Sequence, residues 1–229
     1  MTAGYGSATG SRHFDEQISE LKASLFEMST GVEEMIEHTV DALLRNDAGL
    51  AERVIASDAS INALEVEIEQ RAIALLALQQ PMARDLRFIV GAIGVSRDLE
   101  RIGDHAVNIA QSSRRLMEQS AVLVPDPEIE DMARRARLML GDSIDAFIRG
   151  DGALGRKVCE ADDAVDALHN SVFRILLTHM MEDAHTITQA LELLLVSRNL
   201  ERVADLATNI GESAVYLAEG RQIKHHFED

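Results

Sequence analysis

Residues 95–110 read VSRDLERIGDHAVNIA, and residues 196–211 read VSRNLERVADLATNIG, with ten of the sixteen positions identical at an offset of 101. Generic helical sequence does not repeat itself to that extent, so the chain is an internal duplication. A second pair confirms it upstream. VDALLRNDAGLAERVIASDASINAL at 40–64 returns as IDAFIRGDGALGRKVCEADDAVDAL at 144–168, offset by 104, with Asp41/Asp145, Arg45/Arg149, Asp47/Asp151, Val54/Val158 and Asp58/Asp162 retained. Three residues are therefore lost between the two blocks. A turn absorbs such a change most easily, and LALQQPMARDL around Pro81 is the turn expected.

Each repeat reads as three long helices. In the first they are expected at about 14–45, 48–79 and 83–118, with Asn46 or Asp47 capping the second and QQP dividing the last two. VLVPDPEIE is the linker. Its Asp126 precedes Pro127 as an N-cap precedes proline at the first helical position, so the second repeat opens near residue 127. Its helices are expected at about 127–149, 152–180 and 184–219, turning at GDGA and EDAHT. The resulting divisions are a disordered leader at 1–13, a first repeat at 14–120, a linker at 121–126, a second repeat at 127–220 and a tail at 221–229. Long helices joined by short turns pack antiparallel. The expected fold is all-α: six long helices forming two pseudo-symmetric antiparallel three-helix bundles.

Composition agrees with helices. Among 229 residues, 46% are hydrophobic and only 3% aromatic, with three prolines and no tryptophan. The single cysteine, Cys159, excludes an internal disulfide and reads as a small core residue. The N-terminus lacks the apolar run of a signal peptide, and no segment reaches about 18 uninterrupted apolar residues. A cytoplasmic protein without a transmembrane span is expected. A formal charge of −17 opposes nucleic-acid binding, because phosphate contacts dominate that affinity. Cations or basic protein surfaces suit it better.

On a helical wheel Val95, Leu99, Ile102, Ala106 and Ile109 face the core, and Arg97, Glu100, Asp104 and Asn108 form a stripe on the other side. Carboxylates four apart repel by about 0.2–0.5 kcal/mol. A solvated face with Arg97 paired to Glu100 is one explanation. The second copy points to another: Arg198, Glu201, Asp205 and Asn209 keep the stripe, while positions read as exposed outside it differ, such as Asp98/Asn199 and His105/Leu206. Two carboxylates and an amide oxygen on successive turns make an oxygen-only set for Mg²⁺, Ca²⁺ or Mn²⁺, and iron also accepts carboxylate. One helix supplies too few ligands. Glu37 and Asp41 of EHTVD are candidates for the second helix, and their counterparts in GDSID are Gly141, Asp142 and Asp145, so the two sites need not be equivalent.

The runs ERIGDHAVNI at 100–109, QPMARDLR at 80–87, MMEDAHTI at 180–187 and ERVADLATNI at 201–210 resemble the PhoU family of phosphate-signalling and phosphate-transport accessory proteins. The resemblance spans nearly all of the chain after the leader. It implies the same pair of three-helix bundles and a regulator rather than an enzyme. Such a regulator couples the ATPase subunit of a phosphate ABC transporter to a phosphate-sensing histidine kinase, restrains the starvation response, limits uptake, and works as a homodimer at the periphery of a membrane complex. It also implies divalent or multinuclear metal (Fe, Mn, Mg or Zn) at Glu100 and Asp104 and at Glu201 and Asp205, with Asn108 and Asn209 extending them. Arg97 and Arg198 are candidate partner contacts, and Asp85 and Arg87 form either a helix-start ion pair or part of a partner contact. Two departures from the family pattern stand out. Val203-Ala204 replaces an isoleucine-glycine pair, and His185 replaces an arginine; the added methyl of Ala204 is expected to weaken metal binding in the second repeat.

The alternative is a carboxylate metal-storage or diiron oxidase-like bundle. Glu182 and His185 have the i,i+3 spacing of a diiron ligand pair, but no second Glu-x-x-His exists and EDAH falls at an expected turn. His225 and His226 read as a solvated end. No catalytic arrangement of serine, histidine and carboxylate stands out, and no glycine-rich loop with a lysine is present for nucleoside phosphates.

Overall fold

The computed structural model describes residues 6–119 and 123–221, with side chains from residue 12 onward. Six helices follow in order: α1 Gly6–Arg45, α2 Ala48–Gln79, α3 Ala83–Met117, α4 Pro127–Arg149, α5 Gly152–Glu182 and α6 Ile187–Glu219. No strand occurs among the described residues. α1 starts at Gly6, inside the stretch expected as a disordered leader. The boundaries of α2, α3 and α4 agree with expectation to within one residue.

The helix ends are set by local chemistry. Asp47 accepts from the Leu50 amide at 2.9 Å, Asp126 from the Glu128 amide ahead of Pro127, and Asp151 from the amides of Ala153 and Leu154. Each satisfies donors that the first turn leaves open. Before Asp47 and Asp151 the chain turns through positive φ, at Asn46 (55°) in the first repeat and Gly150 (67°) in the second. EDAHT is tighter than a plain turn: Ala184–Thr186 forms one turn of 3-10 helix, capped by Asp183, which holds both the His185 amide and its Nδ1 at 2.9 Å. That local bonding ties His185 Nδ1 to Asp183, and among the described residues no three histidines, cysteines, aspartates or glutamates converge there around Glu182. His225 and His226 lie outside the described residues.

α1–α3 form one antiparallel bundle and α4–α6 the other, and they join through α3 on α6 and, more sparsely, α1 on α4. Contacts along the α3–α6 seam run in opposite directions: Arg87 reaches the Leu217 carbonyl, His105 meets Asn199, and Arg115 meets Glu192. The seam is not a slip plane. Phe88 stacks on Phe147 of the other bundle at 5.3 Å, and Arg115 grips Glu192 with two bonds of 2.8 and 2.9 Å. Buried residues of both bundles make one continuous core, in which Val95, Leu99, Ile102, Ala106 and Ile109 are wholly buried. The stripes opposite them are thereby turned outward, one on each bundle.

Candidate functional site

Glu100 lies on α3 where it faces α2, not α1. Burial first, then the charges of Asp104, Glu65 and Asp58, push its carboxyl above the ordinary carboxylate range, against the pull of Arg101. Asp58, Asn62 and Glu65 occupy one face of α2 at i, i+4 and i+7. Asn62 donates to one Asp58 oxygen at 3.1 Å, while Asp58 Oδ1 and Asn62 Oδ1 are buried without a hydrogen-bond partner. Asp104 and Asn108 extend the face toward solvent.

The second repeat builds the counterpart from α5 and α6. Burial first, then Asp205, Asp166, Glu201 and Asp163, push Asp162 up to about 7. Burial also leads in raising Glu201, with Asp205 adding to it and Arg202 and His169 opposing. Asp162, Asp166 and His169 are the repeat equivalents of Asp58, Asn62 and Glu65. Here an arginine intervenes. Arg202 donates to Asp205 at 2.7 Å and lies 3.5 Å from Glu201. Beside them a cavity of about 490 Å³ is lined by Asp162, Asp205, Asn209 and Cys159 and by Arg101 and His105 from the first bundle.

Several expected site residues stand elsewhere. Glu37 pairs with Arg137 of α4 at 2.7 Å, Asp41 with Arg45 at 3.0 Å and Asp145 with Arg149 at 2.7 Å. Glu37 and Asp41 cannot join Glu100 because α1 meets α3 on its core side, where Thr39 donates to the Ala106 carbonyl, and Glu100 points to α2. Asp145, on α4 of the second repeat, is held by Arg149 instead, and Glu201 faces Asp166 and His169 of α5. The missed carboxylates had a signal in the sequence, since Asp58/Asp162 is one of the retained pairs. Arg97 does not pair with Glu100 but with Glu69 of α2, at 3.0 Å. Arg198 is exposed and has no ion pair among the described residues. Arg87 is held inside the fold by the Leu217 carbonyl, and Asp85 lies in the exposed first turn of α3. His105 and Asn199, read as exposed, are bonded to each other at 2.8 Å across the seam, and Leu206 is buried.

Ala204 is wholly buried in the core, away from the carboxylates, and a methyl at Gly103 would meet Ile61 at an ordinary 3.5 Å. The methyl therefore does not separate the two repeats; Arg202 does. Cys159 is buried, and burial pushes its thiol up to about 11, which leaves it a neutral core group.

Among the described residues no three histidines, cysteines, aspartates or glutamates converge into a preformed metal centre. The first face nonetheless suits a hard cation. Its donors are all oxygens, and two of them are buried acceptors with no donor to satisfy them. The second face offers carboxylates and His169, but its negative charge is partly neutralised by Arg202.

The PhoU domain model matches residues 25–113 and again 129–214, which are the two repeats. A phosphate-specific transport system accessory protein PhoU homolog of Aquifex aeolicus (strain VF5) is 41% identical over 210 residues, covering 92% of this chain and 95% of its own length. A homolog of the same description from Clostridium acetobutylicum is 38% identical over 92% of this chain and 96% of its own. The crystal structure of PhoU from Pseudomonas aeruginosa superposes with a TM-score of 0.87 at 34% identity, covering 91% of this chain and all of that one. The phosphate transport system regulatory protein PhoU from Streptococcus pneumoniae gives 0.85 at 30% identity. With both repeats matched and the fold shared over 91% of its length, the chain belongs to the PhoU family.

Proposed function

We propose that this protein is an accessory regulator of phosphate transport that restrains uptake and the starvation response as a cytoplasmic adaptor between the ATPase subunit of a phosphate ABC transporter and a sensor histidine kinase. The observation that carries the reading is the match over 92% of the chain, both repeats included, to proteins named as accessories of phosphate-specific transport. The chain acts by contact rather than catalysis, as a homodimer. No helix among the described residues is long and apolar enough to cross a membrane, which fits a peripheral position.

Each acidic face holds a divalent or multinuclear metal, iron, manganese, magnesium or zinc. Asp58, Asn62, Glu65, Glu100 and Asp104 would supply oxygens in the first repeat, with Asn108 at its outer edge. Asp162, Asp166, Glu201, Asp205 and Asn209 would do so in the second. Bound metal would supply positive charge that offsets carboxylate repulsion across each helix pair. Arg202 already neutralises Glu201 and Asp205, so the first repeat loads more readily.

The test pairs composition with physiology. Protein purified without chelator or affinity tag is analysed for metal by mass spectrometry, as wild type, Glu100→Ala/Asp104→Ala and Glu201→Ala/Asp205→Ala. The same three genes are tested for restoring control of phosphate uptake in a cell lacking its own copy. Loss of metal in the variants supports the metal role; metal-free wild type that takes up no added Mn²⁺, Fe²⁺ or Zn²⁺ removes it. Normal uptake control in cells without the protein removes the regulator.

A further inference from the structure

α1 and α4 run antiparallel where the bundles meet, with Glu33 beside Gly141 and Glu37 reaching Arg137. From that contact toward Leu44 and Pro127 they leave an open groove of about 550 Å³. Fifteen residues of α4 and eleven of α1 separate its ends, a length of about 17–22 Å, or three to four helical turns. Val40, Leu44, Ala133 and Leu138 line its apolar part, and Leu138 is 58% exposed.

The rims are acidic. Glu33, Glu37 and Asp41 project from α1 and Glu130, Asp131 and Asp142 from α4. Two guanidiniums face these carboxylates, and both are already engaged: Arg137 with Glu37, and Arg134 with Asp131. Glu130 and Asp142 have no ion pair among the described residues. Glu33, half-buried at the inner end, is pushed above the ordinary carboxylate range by burial, so an incoming cation would relieve it.

We propose that this groove docks a basic amphipathic helix of a partner protein, its apolar stripe on Leu44 and Leu138 and its lysines or arginines on the carboxylate rims. An apolar floor of helical length between charged rims is how a groove reads such a helix. Charge decides the occupant: a second copy of this chain, a nucleic acid or an anionic membrane would bring negative charge to a negative surface. The inference rests on the adaptor reading and assigns it a surface.

The test uses the full chain and a fluorescein-labelled amphipathic peptide of about 15 residues, with leucines along one face and lysines and arginines flanking them. An isomer of the same composition with its leucines spread around the helix is the control. Fluorescence anisotropy is expected to show saturable one-to-one binding, at least tenfold tighter for the amphipathic peptide. Leu138→Gln, and separately Glu130→Lys/Asp142→Lys, are expected to weaken it at least tenfold. Glu160→Lys/Glu182→Lys, which makes the same charge change on exposed positions of α5, is expected to leave it unchanged. All these substitutions are at exposed positions, so folding survives them, as circular dichroism will check.

No binding, equal binding of the two peptides, or equal binding by wild type and groove variants overturns the proposal. The transporter's purified ATPase subunit separates this failure from that of the adaptor reading. If it binds wild type and groove variants alike, the adaptor stands and the groove assignment falls. If it fails to bind wild type, the adaptor falls, and the peptide result alone decides the groove.

Discussion

Asp162 holds its proton to about pH 7 because it is half-buried among Asp205, Asp166 and Glu201. Its folded value lies above the ordinary 3.8, so between those limits the folded chain binds a proton that the unfolded chain has released. That contribution to stability is fully present below about pH 4 and is lost as pH rises through 7. Asp162→Asn keeps the shape without the charge. Discounted for the solvent that still reaches the group, the variant is expected to gain about 1 kcal/mol at pH 8, a rise of about 2–4 °C in the thermal midpoint. At pH 4 it should gain nothing. Thermal melts at the two pH values check this, and an equal shift at both would contradict it. Arg202 is the other decisive residue. Arg202→Gln removes the cation bonded to Asp205, so in a Glu100→Ala/Asp104→Ala background it is expected to raise Mn²⁺ uptake at the second face, as measured by metal analysis.

Where α5 crosses α6, the two backbones come closer than side chains allow. A Cβ on Gly155 would sit 2.5 Å from the Gly211 carbonyl oxygen, and one on Gly211 2.9 Å from that of Gly155. The first repeat has Ala51 and Ala110 at the corresponding places, both wholly buried. Gly155→Ala is therefore expected to cost about 1–3 kcal/mol in urea denaturation, although alanine favours helix in isolation. Neither glycine declares this in the sequence, because the clash exists only once both helices are placed. Capping is the opposite case. Asp126 was legible as a cap from position alone and Asp47 as one of two candidates, since a cap acts within three residues of itself; Asp151 repeats Asp47 in the second copy. Asp151→Ala is expected to cost about 1 kcal/mol, measured the same way.

At the scale of the whole molecule, the bundles share one core instead of sitting side by side. Phe147 of α4 is wholly buried, stacks on Phe88 of α3 and lies where a Cβ on Gly91 would be 2.9 Å from its ring. Phe147→Ala is expected to cost about 3–5 kcal/mol and to destabilise both repeats together, giving one unfolding transition by circular dichroism and calorimetry. Two transitions, with only the second repeat weakened, would show that the bundles fold as separate units.

The duplication, the six helices, their turns and the outward acidic stripes were determined by the sequence itself. Periodicity, capping and repetition act within a few residues or between aligned copies, so a linear reading reaches them. Only tertiary structure decided which helix completes each acidic face. Spacing placed Glu37 and Glu100 each on a polar face, but the packing of α1 on α3 through Thr39 sends Glu37 to Arg137, and Asp58 and Glu65 of α2 meet Glu100 instead. The same holds for Arg202, which answers Asp205 in one repeat only, and for His105, whose partner Asn199 is 94 residues away. Each of these choices depends on how helices distant in sequence are oriented against one another, and packing sets that orientation, not the order of residues along any one of them.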